Sequence, residues 1–411
     1  MAAVAQRLTS YALFAALLSA AGLPIYIHAP KFYVDHYGVS LAALGAVLFG
    51  LRLLDTVQDP LLGRLSERLR HQRRAAVGVA TAIMALAMVG LFAVAPPVNP
   101  LIWFAAMLAL VFSGFSFLTI CFYAQGVAKA NGMAGGGHLG LARWRETGAL
   151  LGICLASVAP LAFAAFMGAP FSGFAVGFVI LAIGASIAMR GEWAVADVPP
   201  SAGFGPILRD PVARKLLVVA LLNAAPVAVS STLFLFYVEI NLQASGWEGP
   251  LLLLFFLSAA VAAPVWGLLA ERFGPRRVLL GAMCLGIVAF GGALFLGPGD
   301  VAVFAVICIG SGSVLGADLT LLPAMFAARL AQIAPSAAEG FGLWAFVSKL
   351  TLALAAVALL PMLEKAGLQT GGAKNPPQAV QLLVLFYAGV PCVLKMLAIT
   401  VLSRLNEIET F

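Results

Sequence analysis

Charge is scarce in this sequence. Only 10% of its 411 residues are Asp, Glu, Lys or Arg, while 62% are hydrophobic. Soluble domains carry about 25% charged residues. A chain this poor in charge cannot cover a water-facing surface, and its apolar residues are too many to hide in one core. A soluble globular protein is excluded, and lipid is left as the covering medium. Cysteine is equally sparse. Cys121, Cys154, Cys284, Cys308 and Cys392 each stand alone in an apolar run, with no Cys-x-x-Cys or Cys/His spacing. Neither a disulfide framework nor a metal site follows from them, and small buried hydrophobes are the simpler reading. The four histidines are scattered. Enzyme signatures are missing too: there is no nucleophile elbow, and Gly135-Gly136-Gly137 before His138 follows no strand and reads as a connector. No enzyme and no cofactor is expected. Arg7 precedes an apolar stretch without a cleavage site before a soluble domain, so the first span is expected to stay in place.

Long apolar runs are what the chain does have. A helix needs ~20 apolar residues to cross a bilayer. Twelve runs qualify, near 9–30, 40–63, 75–95, 100–127, 142–166, 171–190, 212–239, 248–270, 276–297, 301–328, 339–363 and 378–403. They are continuous and twice the length of the alternating segments of a membrane barrel. The net charge of +7 follows the membrane and calls for no nucleic acid. With both termini in the cytoplasm, Arg64, Arg68, Arg70, Arg73, Arg74, Lys129, Arg143, Arg190, Arg209, Arg214, Lys215, Arg272, Arg276, Arg277 and Arg329 all fall on the cytoplasmic side. Lys31, Lys365 and Lys374 fall outside. That asymmetry is the positive-inside pattern. An odd number of spans would scramble it.

A motif recurs six spans apart. Gly63-Arg-Leu-Ser-Glu67-Arg68 follows the second span, and Gly267-Leu-Leu-Ala-Glu271-Arg272-Phe-Gly274-Pro-Arg276-Arg277 follows the eighth. Two six-helix halves explain the repeat. The expected organisation is a bundle over 1–195, a proline-rich cytoplasmic linker over 196–211 and a second bundle over 212–411. The repeated loop resembles the signature of the major facilitator superfamily. That resemblance implies an all-α integral membrane protein, with twelve helices in two pseudo-symmetric bundles that rock around a central site. It also implies a bacterial-type inner (plasma) membrane location and a monomer.

Ionisable groups at bilayer depth are costly and usually functional. Arg52, Asp55 and Asp59 share one face of the second span. Two carboxylates one turn apart are relieved of mutual repulsion by a proton or a Na⁺. Pro60 frees the carbonyl of Thr56 nearby. Arg145, Glu146, Asp318 and Lys349 are the other deep charges, and Lys395 has a stem long enough to snorkel.

The stretch Arg52-Leu-Leu-Asp55-Thr-Val-Gln58-Asp59-Pro60-Leu-Leu-Gly63 resembles the second-helix motif of the glycoside–pentoside–hexuronide:cation symporter family, to which the melibiose permease belongs. Arg143-Trp-Arg145-Glu146 with Gly148 and Gly152 resembles its fifth helix. Glu339-Gly340, Trp344 and Lys349 resemble its eleventh. The resemblance implies cation-coupled symport of a sugar-like solute by alternating access. It makes Asp55, Asp59, Gln58 and Thr119 the cation ligands, with Na⁺ or H⁺ as the coupling ion. It lines the substrate cavity with Arg52, Arg145 and Lys349, and Ser19, Tyr26 and Trp344 are candidates beside them. It makes Gly63, Glu67, Arg68, Gly267, Glu271 and Arg272 the cytoplasmic gate. Two positions depart from the family: Ser19 and Phe122 stand where the sugar permeases have acids. With those acids gone the cavity reads as positive, which brings a hexuronide or another organic anion into view. A proton-driven exporter and a transporter of lipid-like solutes are the rival readings on the same fold.

Overall fold

The computed structural model of the chain describes residues 2–22, 29, 32–34, 36–133, 137–193, 203–368 and 375–405. Among them every regular element is a helix. Twelve long helices follow the order of the predicted spans. They are α1 (Ala2–Ala20), α2 (Leu41–Arg68), α3 (Arg73–Phe92), α4 (Pro100–Asn131), α5 (Gly137–Met167) and α6 (Pro170–Met189), then α7 (Pro211–Asn241), α8 (Glu248–Phe273), α9 (Pro275–Gly291), α10 (Val301–Ile333), α11 (Ala338–Lys365) and α12 (Pro377–Ser403). Nine helices among the described residues are long and apolar enough to cross a bilayer. The first, second and eleventh predicted spans fall on α1, α2 and α11. Several helices outrun the apolar stretches: α4 continues to Asn131, α5 begins at Gly137 and α10 continues to Ile333. Backbone hydrogen bonding carries them past the point where hydropathy ends.

The outward faces are apolar. Leu86, Leu155, Val261 and Val288 are all more than two-thirds exposed. Side chains like these on helix after helix exceed any single patch that a soluble monomer leaves open, and they suit contact with lipid.

Helix ends are set by familiar chemistry. Ser40 Oγ accepts from Ala43 N to start α2, and Asn99 Oδ1 accepts from Leu101 N to start α4, with Pro100 in the first turn. Gly274 joins α8 to α9 at φ +86°, a backbone region that favours glycine. The corresponding place in the first copy of the motif is Arg70, where a 3₁₀ turn over Arg70–Gln72 replaces the glycine corner.

The chain divides into two compact units. The first comprises Met1–Ile207 with Leu330–Phe346, and the second Leu208–Arg329 with Val347–Phe411. In the first, α1 packs on α5 and α6, α2 on α4, and α3 on α4 and α6. Gly148 and Gly152 let α5 meet α1 backbone to backbone. A Cβ at Gly148 would lie 2.1 Å from the Ala12 carbonyl oxygen, and one at Gly152 would lie 2.6 Å from Ala16 Cα. Small residues four apart are the usual means of close helix contact in lipid. In the second unit α7 packs on α12, and α9 on α8 and α12. Gly312 and Gly316 of α10 meet the α8 backbone at Phe255 and Ala259. Both α7 and α12 carry a π-helical turn, at Tyr237–Asn241 and Leu385–Gly389. The rings of Tyr237 and Tyr387 stack there, 4.0 Å between centroids.

Candidate cation and solute site

On α2, Asp55 and Asp59 are both buried, Asp59 completely. A buried carboxylate needs partners, and Asp55 finds them on α4 and on its own helix. Ser116 Oγ donates to Asp55 Oδ1 over 2.7 Å, and Gln58 Nε2 donates to the same oxygen over 3.1 Å. Ser113 Oγ in turn donates to Gln58 Oε1 over 2.9 Å. Gln58 therefore orients Asp55 with its amide nitrogen while its oxygen is engaged by α4. The helices α2 and α4 run in parallel, and Ser66 meets Cys121 Sγ further along at 3.1 Å. Thr119 falls between Ser116 and Cys121 in that register, as Asp59 falls between Asp55 and Ser66. Its Oγ1 is buried and makes no hydrogen bond. Thr56 Oγ1 donates to the Arg52 carbonyl over 2.9 Å. Pro60 lies inside the helix and leaves the Thr56 carbonyl without its usual donor.

Arg145 sits on α5 and is buried. Its Nε donates to Glu146 Oε1 over 2.7 Å, and Tyr123 OH donates to that same oxygen over 2.9 Å. The guanidinium lies 3.7 Å from the centre of the Tyr123 ring, within cation–π range. Of the basic residues that made the cavity read as positive, Arg145 is answered locally, by Glu146. Arg145 Nη2 is buried without a hydrogen bond, which leaves one donor uncommitted.

The first turns of α11 pack on α2. A Cβ at Gly63 would lie 3.1 Å from the Ala338 carbonyl oxygen, and one at Gly342 would lie 3.0 Å from the carbonyl of Asp59. Phe341 meets the Tyr123 ring at 4.9 Å. The motif glycine and the Asp59 turn therefore touch the same stretch of α11. Within the motif, Glu67 pairs with Arg70 at 3.5 Å, and Arg68 is exposed. In the second copy Gly267 is buried while Glu271 and Arg272 are exposed, with Arg272 over the Phe273 ring. Arg276 donates to the carbonyls of Leu402 and Ser403 and so closes the end of α12.

Of the remaining predicted residues, Ser19 is half-buried on α1, Arg52 is half-buried on α2, and Trp344 is half-buried on the part of α11 that belongs to the first unit. Lys349 lies in the part of α11 that belongs to the second. Tyr26 lies outside the described residues. Ser113 and Ser116 were not singled out from the sequence, although their three-residue spacing with Thr119 puts all three on one face of α4.

Lys395 does not snorkel. It is buried on α12 and donates to Asn223 Oδ1 of α7 over 2.5 Å and to Asp318 Oδ2 of α10. A second charge device of this unit joins α10 to α7. Arg329 donates to both oxygens of Asp210, at 3.0 and 2.6 Å, while Asp210 Oδ1 caps α7 by accepting from Ala213 N. Burial raises the Asp210 carboxyl, but the Arg329 hydrogen bonds and the Ala213 N–H outweigh it and hold the group below the usual carboxylate range.

No curated protein matches the chain by sequence. Among solved structures, a bacterial homologue of the iron transporter ferroportin in its outward-facing state aligns with a TM-score of 0.69 at 15% identity, over 97% of this chain and 98% of that one. The E. coli fucose:proton symporter FucP aligns with a TM-score of 0.65 at 12% identity, over 95% and 98%. At such identities the likeness speaks for the fold alone. The sequence itself matches the model of the family described as MFS/sugar transport protein over residues 8–407. On that match, the chain belongs to the MFS/sugar transport family and is a membrane transporter of the major facilitator superfamily, not an enzyme.

Proposed function

We propose that the protein is a cation-coupled symporter, driven by Na⁺ or H⁺, which takes up a sugar-like solute by alternating access. The observation that carries this reading is the pair of buried carboxylates on α2, with Asp55 held by Ser116 and Gln58. Bare carboxylates at this depth resist enclosure, and neutralised ones are far easier to bury. A cation taken by Asp55 and Asp59, with Thr119 and the Thr56 carbonyl as further oxygen donors, permits the loaded cavity to close. Coupling is then a linkage between two sites and is reciprocal: solute raises cation affinity by the factor by which cation raises solute affinity.

The contact of α2 with α11 supports a mechanical side to the same reading. Asp59 and Gly63 sit one turn apart on the strip of α2 that meets Gly342, so a charge change at Asp59 is felt where the two helices touch. Gly63, Glu67, Arg68 and their second-copy counterparts Gly267, Glu271 and Arg272 serve as the cytoplasmic gate, with both termini in the cytoplasm of a bacterial-type inner membrane and a monomer as the working unit.

The solute follows from the local charges. Arg145 is matched by Glu146, which removes the strongest reason for an anion. A neutral glycoside, hydrogen-bonded by the remaining Arg145 donor, fits better than a uronide. The test is uptake into proteoliposomes under imposed Na⁺ or pH gradients, with neutral glycosides, uronides and small organic anions. Asp59→Asn should lose uphill accumulation and keep downhill exchange. Uphill transport in that variant refutes the coupling assignment.

A further inference from the structure

In the second unit an apolar groove of about 500 Å³ runs between α8 and α10, walled by Leu257, Val261, Val265 and Trp266 on one side and by Ile309 and Ser313 on the other. Leu257, Val261 and Val265 are exposed. The small side chains of Ser258, Ala262 and Ser313 keep the groove open.

Its polar groups are already engaged. Ser258 and Ser313 donate their hydroxyl protons to the carbonyls of Leu254 and Ile309 on their own helices, at 2.7 and 2.8 Å. Trp266 Nε1 donates to the Ser313 carbonyl over 2.8 Å. The groove therefore offers no free donor. A sugar or a headgroup laid along it would lose bonds that it makes to water. A hydrocarbon chain loses none.

The groove also has a direction. Its α8 residues recur every three or four positions from Leu254 to Leu269, which puts them on one helix face. At ~1.5 Å per residue this stripe is about 22 Å long. Half of a hydrocarbon core is about 15 Å, so the groove takes the full depth of one lipid chain. Three residues beyond Leu269 the stripe reaches Arg272, which is exposed, with its guanidinium over the Phe273 ring. Between 271 and 277 three arginines stand against one glutamate. Arg276 gives its hydrogen bonds to the α12 carbonyls and still adds its charge. Glu271 lies about 100° round the helix from Arg272.

The groove fixes where a chain lies, and the headgroup supplies the preference. Lipid tails are as apolar as the groove, so a tail alone gains little over the surrounding bilayer. Basic residues at the end of a membrane helix attract anionic lipid. A second copy of this chain is the poorer occupant. Two copies in one membrane share an orientation, so a two-fold contact here would set Arg272 against Arg272 at the same depth.

We propose that the groove between α8 and α10 binds an anionic phospholipid, with one acyl chain along the groove and the phosphate at Arg272. The proposal does not rest on ion coupling, so a failure of coupling at Asp55 and Asp59 leaves it standing.

Trp266 lines the groove and reports on its contents. The protein is reconstituted in phosphatidylcholine vesicles that carry a rising fraction of phosphatidylglycerol brominated on its acyl chains, or of equally brominated phosphatidylcholine. Bromine quenches an indole at close contact, and the share of Trp266 is the difference between the parent and Trp266→Phe. Brominated phosphatidylglycerol should reach half of its quenching at a mole fraction about fivefold lower than brominated phosphatidylcholine, the effect of one basic residue at a lipid surface. Equal quenching by the two lipids means an ordinary lipid annulus only, and quenching by neither means that protein covers the groove; each overturns the proposal. Arg272→Gln should abolish the difference between the lipids, and a preference that survives it refutes the assignment. Ala262→Leu keeps the arginine and fills the groove. It should raise the fraction of brominated phosphatidylglycerol needed several-fold, and an unchanged curve counts against the site.

Discussion

Ser116 gives its hydroxyl proton to Asp55 across 2.7 Å, from α4 to α2. The bond ties a buried carboxylate to a neighbouring helix rather than to its own helix alone. Hydrogen bonds to charged groups are worth about 1.5–3 kcal/mol, and Gln58 still holds Asp55 when Ser116 is gone. Ser116→Ala should therefore act at the low end of that range and raise the half-saturating cation concentration for solute uptake about tenfold. An unchanged half-saturation would separate Asp55 from the coupling ion.

Glu146 is the counter-charge of a buried arginine. Removing one partner of a buried pair costs about 3–5 kcal/mol, whereas replacing both by apolar residues of similar size is often neutral. Glu146→Gln should lower the unfolding temperature of the purified protein markedly. Arg145→Met with Glu146→Leu should recover most of that loss while solute binding stays impaired. If the single change is as stable as the parent, the pair is not the internal charge balance described above.

At Gly148 two effects compete. Alanine is a better helix former than glycine by about 1 kcal/mol. The new methyl, however, would meet the backbone of Ala12 at 2.1 Å, and overpacking costs about 1–3 kcal/mol or more where backbone must move. The clash wins, and Gly148→Ala should destabilise. Gly140 on the same helix has nothing within 4 Å of the equivalent position, so Gly140→Ala should be neutral or stabilising. Thermal unfolding of the two variants side by side distinguishes packing from propensity.

Asp210 carries a pH dependence whose sign is fixed by its environment. Its carboxyl is held below the ordinary range by Arg329 and the Ala213 N–H, so folding favours the ionised form. The contribution is complete above the unfolded-state value near ~3.9 and fades as pH falls through the lower folded-state value. Asp210→Asn keeps the helix cap and loses the charge. The stability gap between parent and variant should be flat around neutrality and shrink below about pH 4. A gap that widens on acidification contradicts the assignment.

Much of the fold is legible in the sequence. Lipid exposure requires long apolar runs, so the helices announced themselves, and the repeated Gly-x-x-x-Glu-Arg loop gave the fold. Asp55 and Asp59 stood out because charge in such runs is rare. The partners did not. Ser113 and Ser116 are ordinary residues in a span, and only the packing of α2 on α4 makes them ligands of Gln58 and Asp55. The Arg145–Glu146 pair joins adjacent positions, which do not normally face each other on a helix; the Tyr123 ring and hydroxyl hold both. Lys395 was misread because stem length predicts reach, while the carboxylate it meets lies on another helix.

The π turn at Leu385–Gly389 has a bearing on that same lysine. It accommodates one residue more than an α turn does, and each residue of an α-helix advances about 100°. Everything beyond it on α12 is out of phase with everything before it, including Lys395. A hydrophobic periodicity traced from Pro377 onward therefore points to the wrong face after Gly389. Deleting a single residue in the turn would return α12 to one continuous phase and swing the ammonium away from Asp318, with no change to either side chain.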